Sequence, residues 1–184
     1  ENVIQAAIAN GVQKVVALST DKASSPVNLY GATKLTADKL FISSNHYSEA
    51  GGTRFAVVRY GNVMGSRGSV IPYFREKALR GEPLPITDSR MTRFWITLDQ
   101  AVQFVVDSFD DMKGGELYVP RIPSMKIVDL ARAISPDSSI IEIGVRPGEK
   151  LHEEMIAVAD APRTVRRDDR YVVAPTLAIW GGYV

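Results

Sequence analysis

Four side chains capable of acid–base chemistry lie close together in the sequence: Asp21, Lys22, Tyr30 and Lys34. Tyr30 and Lys34 are four residues apart, so on a helix they share one face and lie one turn from each other. An ammonium beside a phenol favours the phenolate, which can act as a base. Asp21 and Lys22 add a second acid–base pair, which is more proton-transfer chemistry than a simple hydride transfer needs. The spacing therefore predicts a catalytic cluster in this stretch.

The segments around this cluster predict the elements that position it. Residues 14–18 and 55–60 are short, Val-rich runs, as buried parallel strands are, and a helix is expected between them over residues 29–47. With the helix that opens the chain at Asn2, this order is typical of an α/β fold with a parallel sheet. Ligands bind at the carboxyl ends of such strands, where the acid–base pair and Asn62 follow.

After Gly61 the elements become shorter and are separated by Pro and Gly turns, which suits a smaller α+β substrate-binding lobe. We therefore expect residues 1–66 to belong to a Rossmann-like parallel sheet with the catalytic helix. Residues 67–184 are expected to form mainly the lobe, with some segments returning to the sheet. The elements predicted in this second region are helices over 70–80, 97–109 (capped by Thr97) and 125–134 (capped by Ser124), and strands over 116–119 and 139–143.

The motifs carry a resemblance to a known family. The string Ser-Thr-Asp-Lys-Ala-Ser-Ser-Pro-Val-Asn-Leu-Tyr-Gly-Ala-Thr-Lys at 19–34 resembles the catalytic centre of extended short-chain dehydrogenases/reductases. More narrowly, it resembles the inverting UDP-N-acetylglucosamine 4,6-dehydratases of pseudaminic acid biosynthesis. Tyr30 favours this branch, because the larger membrane-bound relatives of polysaccharide synthesis usually carry Met there. The similarity continues through Arg-Tyr-Gly-Asn-Val at 59–63, Met-Thr-Arg-Phe-Trp at 91–95 and Arg-Pro-Gly-Glu-Lys at 146–150.

The resemblance implies a mechanism that yields a 4-keto-6-deoxy sugar. Sugar C4 is oxidised transiently, water is eliminated across C5 and C6, and the hydride returns to C6 with inversion at C5. Tyr30 would take the C4 hydroxyl proton with the support of Lys34. Lys22 would remove the C5 proton and Asp21 would protonate the departing hydroxide, so Lys22 must start neutral and Asp21 protonated.

The resemblance also implies binding residues and partners. Guanidinium forks match diphosphate oxygens, and a carboxylate can accept from ribose hydroxyls or uracil. We expect NADP as cofactor, with NAD as the alternative, a UDP-sugar as substrate, and a homo-oligomer. The implied cofactor-binding residues are Ser19, Tyr30, Lys34, Tyr60 and Val63, and the implied substrate-binding residues are Lys22, Asn62, Arg93, Arg146 and Glu149.

The chain shows no Gly-rich phosphate loop ahead of the catalytic cluster. A dinucleotide-binding fold is expected to open with a strand, a Gly-rich turn and a helix whose N-terminus holds the pyrophosphate. The glycines at 61, 65 and 68 come after the predicted catalytic helix, so we interpret them as part of a substrate-side loop. The expectation is therefore that this chain is the C-terminal portion of a longer enzyme, with the N-terminal strands of the sheet missing.

Composition excludes several classes of protein. A net charge of +1 over 184 residues gives no reason to expect nucleic acid or an anionic membrane as a partner. The absence of Cys excludes disulfides and thiolate zinc sites and agrees with a cytoplasmic protein. His46 and His152 lack metal-ligand spacing, so no metal is expected. The charges of residues 163–170 alternate in sign, which predicts a solvated segment.

Two alternatives to the dehydratase stay open. A nucleotide-sugar 4-epimerase or reductase of the same superfamily would use Tyr30 and Lys34 without needing Asp21 and Lys22. A catalytically silent fragment would only bind nucleotide sugar or a partner chain.

Overall fold

The computed structural model describes residues 1–48 and 52–175, and these form two compact units. The first comprises the described residues of Glu1–Tyr60, Val102–Arg121 and Glu154–Val184, and the second comprises Gly61–Ala101 and Ile122–Glu153. In these described ranges, no helix is long and apolar enough to cross a bilayer. The same ranges contain no cluster of three or more His, Cys, Asp or Glu arranged to hold a metal ion.

The regular elements follow one another as short strands and helices. In chain order the helices are α1 (Asn2–Ala9), α2 (Leu29–Ser43), α3 (Val70–Leu79), α4 (Leu98–Asp111) and α5 (Ile127–Ile134), and the strands are β1 (Lys14–Thr20), β2 (Arg54–Tyr60), β3 (Asn62–Val63), β4 (Leu84–Ile86), β5 (Thr92–Ile96), β6 (Leu117–Pro120), β7 (Ser124–Lys126), β8 (Ile140–Glu142), β9 (Thr164–Arg166) and β10 (Arg170–Val173).

The first unit is built on a five-stranded sheet of order β1-β2-β6-β10-β9. β1, β2 and β6 are parallel, whereas β10 and β9 continue the sheet antiparallel. Residues 55–58 at the centre of β2 are fully buried, as a strand covered on both faces requires. The expected α/β fold with a parallel sheet is confirmed.

The helices of the first unit pack on this sheet through a few large side chains. Ile4 and Ala7 of α1 cluster with Phe55, whose ring centroid lies 6.1 Å from that of Phe41 on α2. The helix expected over residues 29–47 ends earlier, at Ser43, and a single 3-10 turn follows. The buried Asn45 explains this end, because its side chain hydrogen-bonds both the N–H and the carbonyl of Phe55.

The second unit contains two small sheets around its own apolar core. One has the order β3-β5-β7 and the other pairs β4 with β8. The prediction of a helix over 125–134 capped by Ser124 is wrong at its start, because Ser124–Lys126 is a strand antiparallel to β5. The helical periodicity holds only from Ile127, whose side chain is buried in the core with Leu130 and Ala131. Pairing with a neighbouring strand has overridden the local capping signal.

Residues 163–170, predicted to be solvated, are mostly exposed and carry regular structure. They include β9 and the turn into β10, which form an antiparallel hairpin at the edge of the sheet. The guanidinium of Arg170 lies 5.2 Å from the ring centroid of Phe104 and 2.7 Å from Asp169. The alternating charges therefore belong to a solvated hairpin at the edge of the sheet.

Candidate active site

The predicted acid–base pair lies at the carboxyl end of β1. Thr20, the last residue of β1, is in register with Tyr60, the last residue of β2, so both strands deliver their ends to one edge of the sheet. Asp21 is completely buried; its Oδ1 accepts from the Thr20 hydroxyl at 2.8 Å and from the Lys22 ammonium at 3.1 Å. Its Oδ2 has no hydrogen-bond partner among the described residues. One carboxyl oxygen is therefore held in place by two hydrogen bonds, and the other is held by none.

The loop that carries this pair is pressed against the first turn of α2. Asn28 caps the helix by accepting from the Gly31 N–H at 2.8 Å. A Cβ at Gly31 would lie 2.3 Å from the carbonyl oxygen of Lys22 and 2.9 Å from the Cβ of Pro26. The position excludes every side chain, so Gly31 sets the distance between the acid–base loop and the helix that carries Tyr30.

Replacing Gly31 by alanine is expected to destabilise the protein by about 1–3 kcal/mol, because a backbone carbonyl must shift to make room for the methyl group. The same substitution in an uncrowded helix would stabilise by about 0.5–1 kcal/mol. Urea denaturation followed by circular dichroism separates the two signs. An increase in the free energy of unfolding would contradict the close packing of loop and helix.

Tyr30 and Lys34 occupy successive turns of α2, as their spacing predicts. The Tyr30 side chain is 53% exposed, and the Lys34 ammonium donates to the carbonyl of Leu18 on β1 at 3.1 Å. The pKa of Tyr60 is raised above its ordinary value. Burial is the larger cause, and the neighbouring phenol of Tyr30 is the smaller one. Tyr60 therefore stays protonated and can donate a hydrogen bond, while Tyr30 presents the accessible phenol.

A buried ionic network that the sequence analysis missed fixes the two strand ends to α2. Asp38 accepts from the hydroxyl of Ser19 at 2.8 Å and from Nη2 of Arg59 at 2.9 Å, and Nη1 of Arg59 donates to the carbonyl of Met155 at 3.0 Å. All three side chains of the Ser19–Asp38–Arg59 network are buried. No local pattern in the sequence signals this network, because Asp38 and Arg59 are 21 positions apart. Ser19 is a predicted cofactor ligand, and its hydroxyl here points to Asp38.

A separate cavity of about 760 Å³ in the first unit is lined by Asp38 and Arg59 together with apolar side chains of α2 and the sheet. None of the predicted catalytic or ligand-binding residues is among its lining residues. The predicted catalytic residues of this unit therefore lie outside its cavity.

The second unit brings together four of the predicted substrate ligands. Asn62, Arg93, Arg146 and Glu149 all line one cavity of about 270 Å³. Nη1 of Arg93 donates to the carbonyls of Thr92 at 2.7 Å and Leu151 at 3.3 Å, which fixes its guanidinium. The Arg146 side chain is solvent-exposed, with Nη1 4.0 Å from Oε1 of Glu149. The arrangement offers two cations and one carboxylate to a ligand.

The wall of this pocket is formed by the β3–β5 pair. Asn62 is in register with Trp95, and Arg93 lies two residues before Trp95 on the same face of β5. Gly61 permits the close approach, since a Cβ there would lie 2.6 Å from the Cβ of Phe94. Val63, a predicted cofactor ligand, pairs with Ile96 in β5.

Three of the residues that line the pocket each have a buried polar atom without a hydrogen-bond partner among the described residues: Oδ1 of Asn62, Nε1 of Trp95 and Oε2 of Glu149. Such atoms cost about 1–3 kcal/mol each unless a bound molecule or water satisfies them. Alternation along β5 places Trp95 on the same side of the strand as Arg93, and both residues line the pocket.

Comparison with known proteins shows the family to which the chain belongs. The family described as polysaccharide biosynthesis protein matches residues 1–175. An inverting UDP-N-acetylglucosamine 4,6-dehydratase of Campylobacter jejuni is 54% identical over 178 residues, covering 96% of this chain and 53% of the relative. A UDP-glucose 4-epimerase of Rickettsia canadensis is 41% identical over 175 residues, covering 93% and 51%.

One solved structure is similar over nearly the whole chain. The X-ray structure of Pen from Bacillus thuringiensis superposes with a TM-score of 0.90 at 40% identity, covering 96% of this chain and 58% of that one. The chain spans about half the length of the curated relatives it matches.

Proposed function

Because the chain belongs to the polysaccharide biosynthesis protein family, we propose that it supplies the catalytic and sugar-binding residues of an inverting UDP-N-acetylglucosamine 4,6-dehydratase. The observation that carries this proposal is the ion pair of the buried Asp21 with the partly exposed Lys22 at the carboxyl end of β1, beside the helix that carries Tyr30 and Lys34. An epimerase needs one base at C4, whereas dehydration needs a further base at C5 and an acid at the C6 oxygen. The chain holds side chains for all of these tasks.

The substrate we propose is a UDP-sugar held by the second unit. Two arginines and a carboxylate around one pocket fit a diphosphate and a neighbouring ribose, because guanidinium groups bind phosphate oxygens and a carboxylate accepts from hydroxyls. Oε2 of Glu149 supports the proposed contact with the ribose, because this oxygen has no hydrogen-bond donor in the described structure.

The residues at the strand ends fit a nicotinamide dinucleotide, which we propose to be NADP, with NAD as the alternative. Tyr30 and Tyr60 offer phenol hydroxyls and Lys34 an ammonium, the donors that a ribose and its phosphates accept. When bound, the nicotinamide supplies the acceptor for the C4 hydride and its return to C6. We also propose that the enzyme is a homo-oligomer.

The proton transfers follow from the side chains. Tyr30 accepts the proton of the C4 hydroxyl as C4 becomes a ketone, with Lys34 one turn further along α2. The ketone acidifies the C5 proton, which Lys22 removes. Asp21 gives its proton to the C6 oxygen, which leaves as water, so one C–H and one C–O bond break and one C=C bond forms. Oδ2 of Asp21 supports this role, because this oxygen makes no hydrogen bond to the described residues.

The test is the product formed from UDP-N-acetylglucosamine in deuterated water by the protein that carries this chain, with NADP and NAD as separate arms. A dehydratase is expected to yield a C6 methyl group in the proton spectrum and one deuteron at C5. The epimerase, which the similarity to the Rickettsia relative keeps as the second candidate, would retain the C6 hydroxymethyl group and change only C4. Failure to form either product would overturn the proposed reaction.

A further inference from the structure

The loop between the acid–base pair and α2 contains a strained residue. Among the residues that the structure describes, Ser25 is the only one other than glycine with a positive φ, at 43°. An L-residue in this left-handed region is disfavoured by a factor of about 5 to 30. Ser25 also precedes Pro26, and a residue before proline normally prefers extended backbone. Strain of this kind persists only where the surrounding structure holds it, and it clusters at functional sites.

The turn at Ser25 determines where the backbone of Lys22 lies. A Cβ built at Gly31 would lie 2.3 Å from the carbonyl oxygen of Lys22 and 2.9 Å from the Cβ of Pro26. The loop therefore contacts the same point of α2 before and after Ser25. Extended backbone at position 25 would lengthen this return path and move one of the two contacts away from the helix. The conformation of Ser25 thus affects the position of the acid–base pair relative to α2.

The side chain of Ser25 is anchored by Glu154. Its hydroxyl donates to Oε2 of Glu154 at 3.0 Å. The next residue, Met155, is buried, and its carbonyl accepts from Nη1 of Arg59 at 3.0 Å. Glu154 therefore extends from backbone that the buried ionic network fixes, and its carboxylate can restrain the turn.

We propose that Ser25 and Glu154 are positioning residues, whose hydrogen bond holds the left-handed turn that presents Asp21 and Lys22 to the sugar. The inference rests on the proposed function for its effect on turnover, whereas the restraint on the loop does not depend on the reaction. Neither Ser25 nor Glu154 transfers a proton in the proposed mechanism. Loss of the restraint is therefore expected to slow dehydration and to leave C4 oxidation, which uses side chains of α2, unchanged.

The experiment compares two substitutions at Ser25 in the protein that carries this chain. Ser25→Ala removes the hydroxyl and keeps a Cβ that disfavours positive φ, whereas Ser25→Gly removes the hydroxyl and this penalty together. In a single turnover, Ser25→Ala is expected to slow formation of the C6 methyl group about 5- to 30-fold and Ser25→Gly to slow it less. Hydrogen exchange of the amides of residues 21–28 is expected to accelerate in the same order. A loop without strain would show the opposite order, because glycine loosens a chain more than alanine does.

Two controls separate the hydrogen bond from general loosening of the chain. Glu154→Gln keeps an oxygen that accepts from the serine hydroxyl, so it is expected to work nearly as the unmodified protein does, and Glu154→Ala is expected to resemble Ser25→Ala. Ser135→Ala and Ser135→Gly repeat both changes at a serine whose hydroxyl lies 2.8 Å from that of Ser138 and whose φ is −149°. Glycine is not expected to be the better tolerated residue there, and thermal melting of each variant measures this.

Dehydration and loop exchange in Ser25→Gly that are affected at least as much as in Ser25→Ala would overturn the proposal, and so would equal losses in Glu154→Gln and Glu154→Ala. Faster loop exchange with unchanged dehydration would overturn the positioning role. No product from the unmodified protein would overturn the proposed function. Loop exchange that is the same in Ser25→Ala and in the unmodified protein would separately overturn the restraint on the turn.

Discussion

Replacing Asp38 by alanine is expected to lower the free energy of unfolding by about 3–5 kcal/mol, the largest effect on stability that we predict for a single substitution. The carboxylate is the ionic partner of Arg59, whose side chain is 2% exposed and whose Nε has no acceptor among the described residues. Without Asp38 the guanidinium stays buried with one hydrogen bond, to the carbonyl of Met155. Breaking a buried ion pair is costly because the remaining charge is not solvated.

Urea denaturation of the purified variant measures this effect. Glu76→Ala serves as the matched control, because it breaks the ion pair with Arg80, in which both side chains are more than half exposed. Exposed pairs of this kind contribute about 0–1 kcal/mol, so the control is expected to unfold nearly as the unmodified protein does. If Asp38→Ala lowered the free energy of unfolding no more than the control does, the network would not be what holds the strand ends to α2.

The double variant Asp38→Leu with Arg59→Met distinguishes loss of charge pairing from loss of packing. Replacing a buried ion pair by apolar side chains of similar volume is often neutral in stability, so the double variant is expected to recover most of the loss. Equal destabilisation in the single and double variants would assign the effect to the hydrogen bond from Ser19 and the shape of the site.

The sequence predicted those parts of the site that depend on spacing within one element. Tyr30 and Lys34 lie on one helix, and Asp21 follows one strand, so local periodicity and the rule for strand ends place them. The grouping of Asn62 with Arg93, Arg146 and Glu149 came from the resemblance of separate motifs, and the structure brings these residues to one pocket.

The parts that the sequence did not reveal depend on contacts between distant residues. Asp38 and Arg59 are 21 positions apart, and nothing in either local pattern shows that both become buried at the same place. Trp95 reads as an ordinary core residue until its strand partner is known to be Asn62. Ser124 carries a helix-capping signal that lost to strand pairing with β5. Burial and strand pairing depend on the whole fold, whereas helix capping and hydrophobic periodicity can be read from a single segment of the sequence.

Replacing Lys22 by alanine is expected to separate the two halves of the proposed reaction. Oxidation at C4 needs Tyr30 and Lys34, which stay in place, whereas removal of the C5 proton loses its base. A general base contributes about 10²- to 10⁴-fold, so dehydration should slow by that factor while the nicotinamide absorbance still shows C4 oxidation. The readouts are the appearance of the C6 methyl group and the reduction of cofactor in a single turnover.

Lys39→Ala is the matched control, since this lysine lies on α2 with its side chain 60% exposed and 3.9 Å from Asp160. It is expected to leave both steps unchanged, and Tyr30→Phe is expected to lose both, because C4 oxidation precedes elimination. Loss of dehydration alone in Lys22→Ala, compared with loss of both steps in Tyr30→Phe, would assign Lys22 to the removal of the C5 proton. Turnover of Lys22→Ala equal to that of the unmodified protein would remove the dehydratase mechanism and favour an epimerase or reductase, which uses Tyr30 and Lys34 alone.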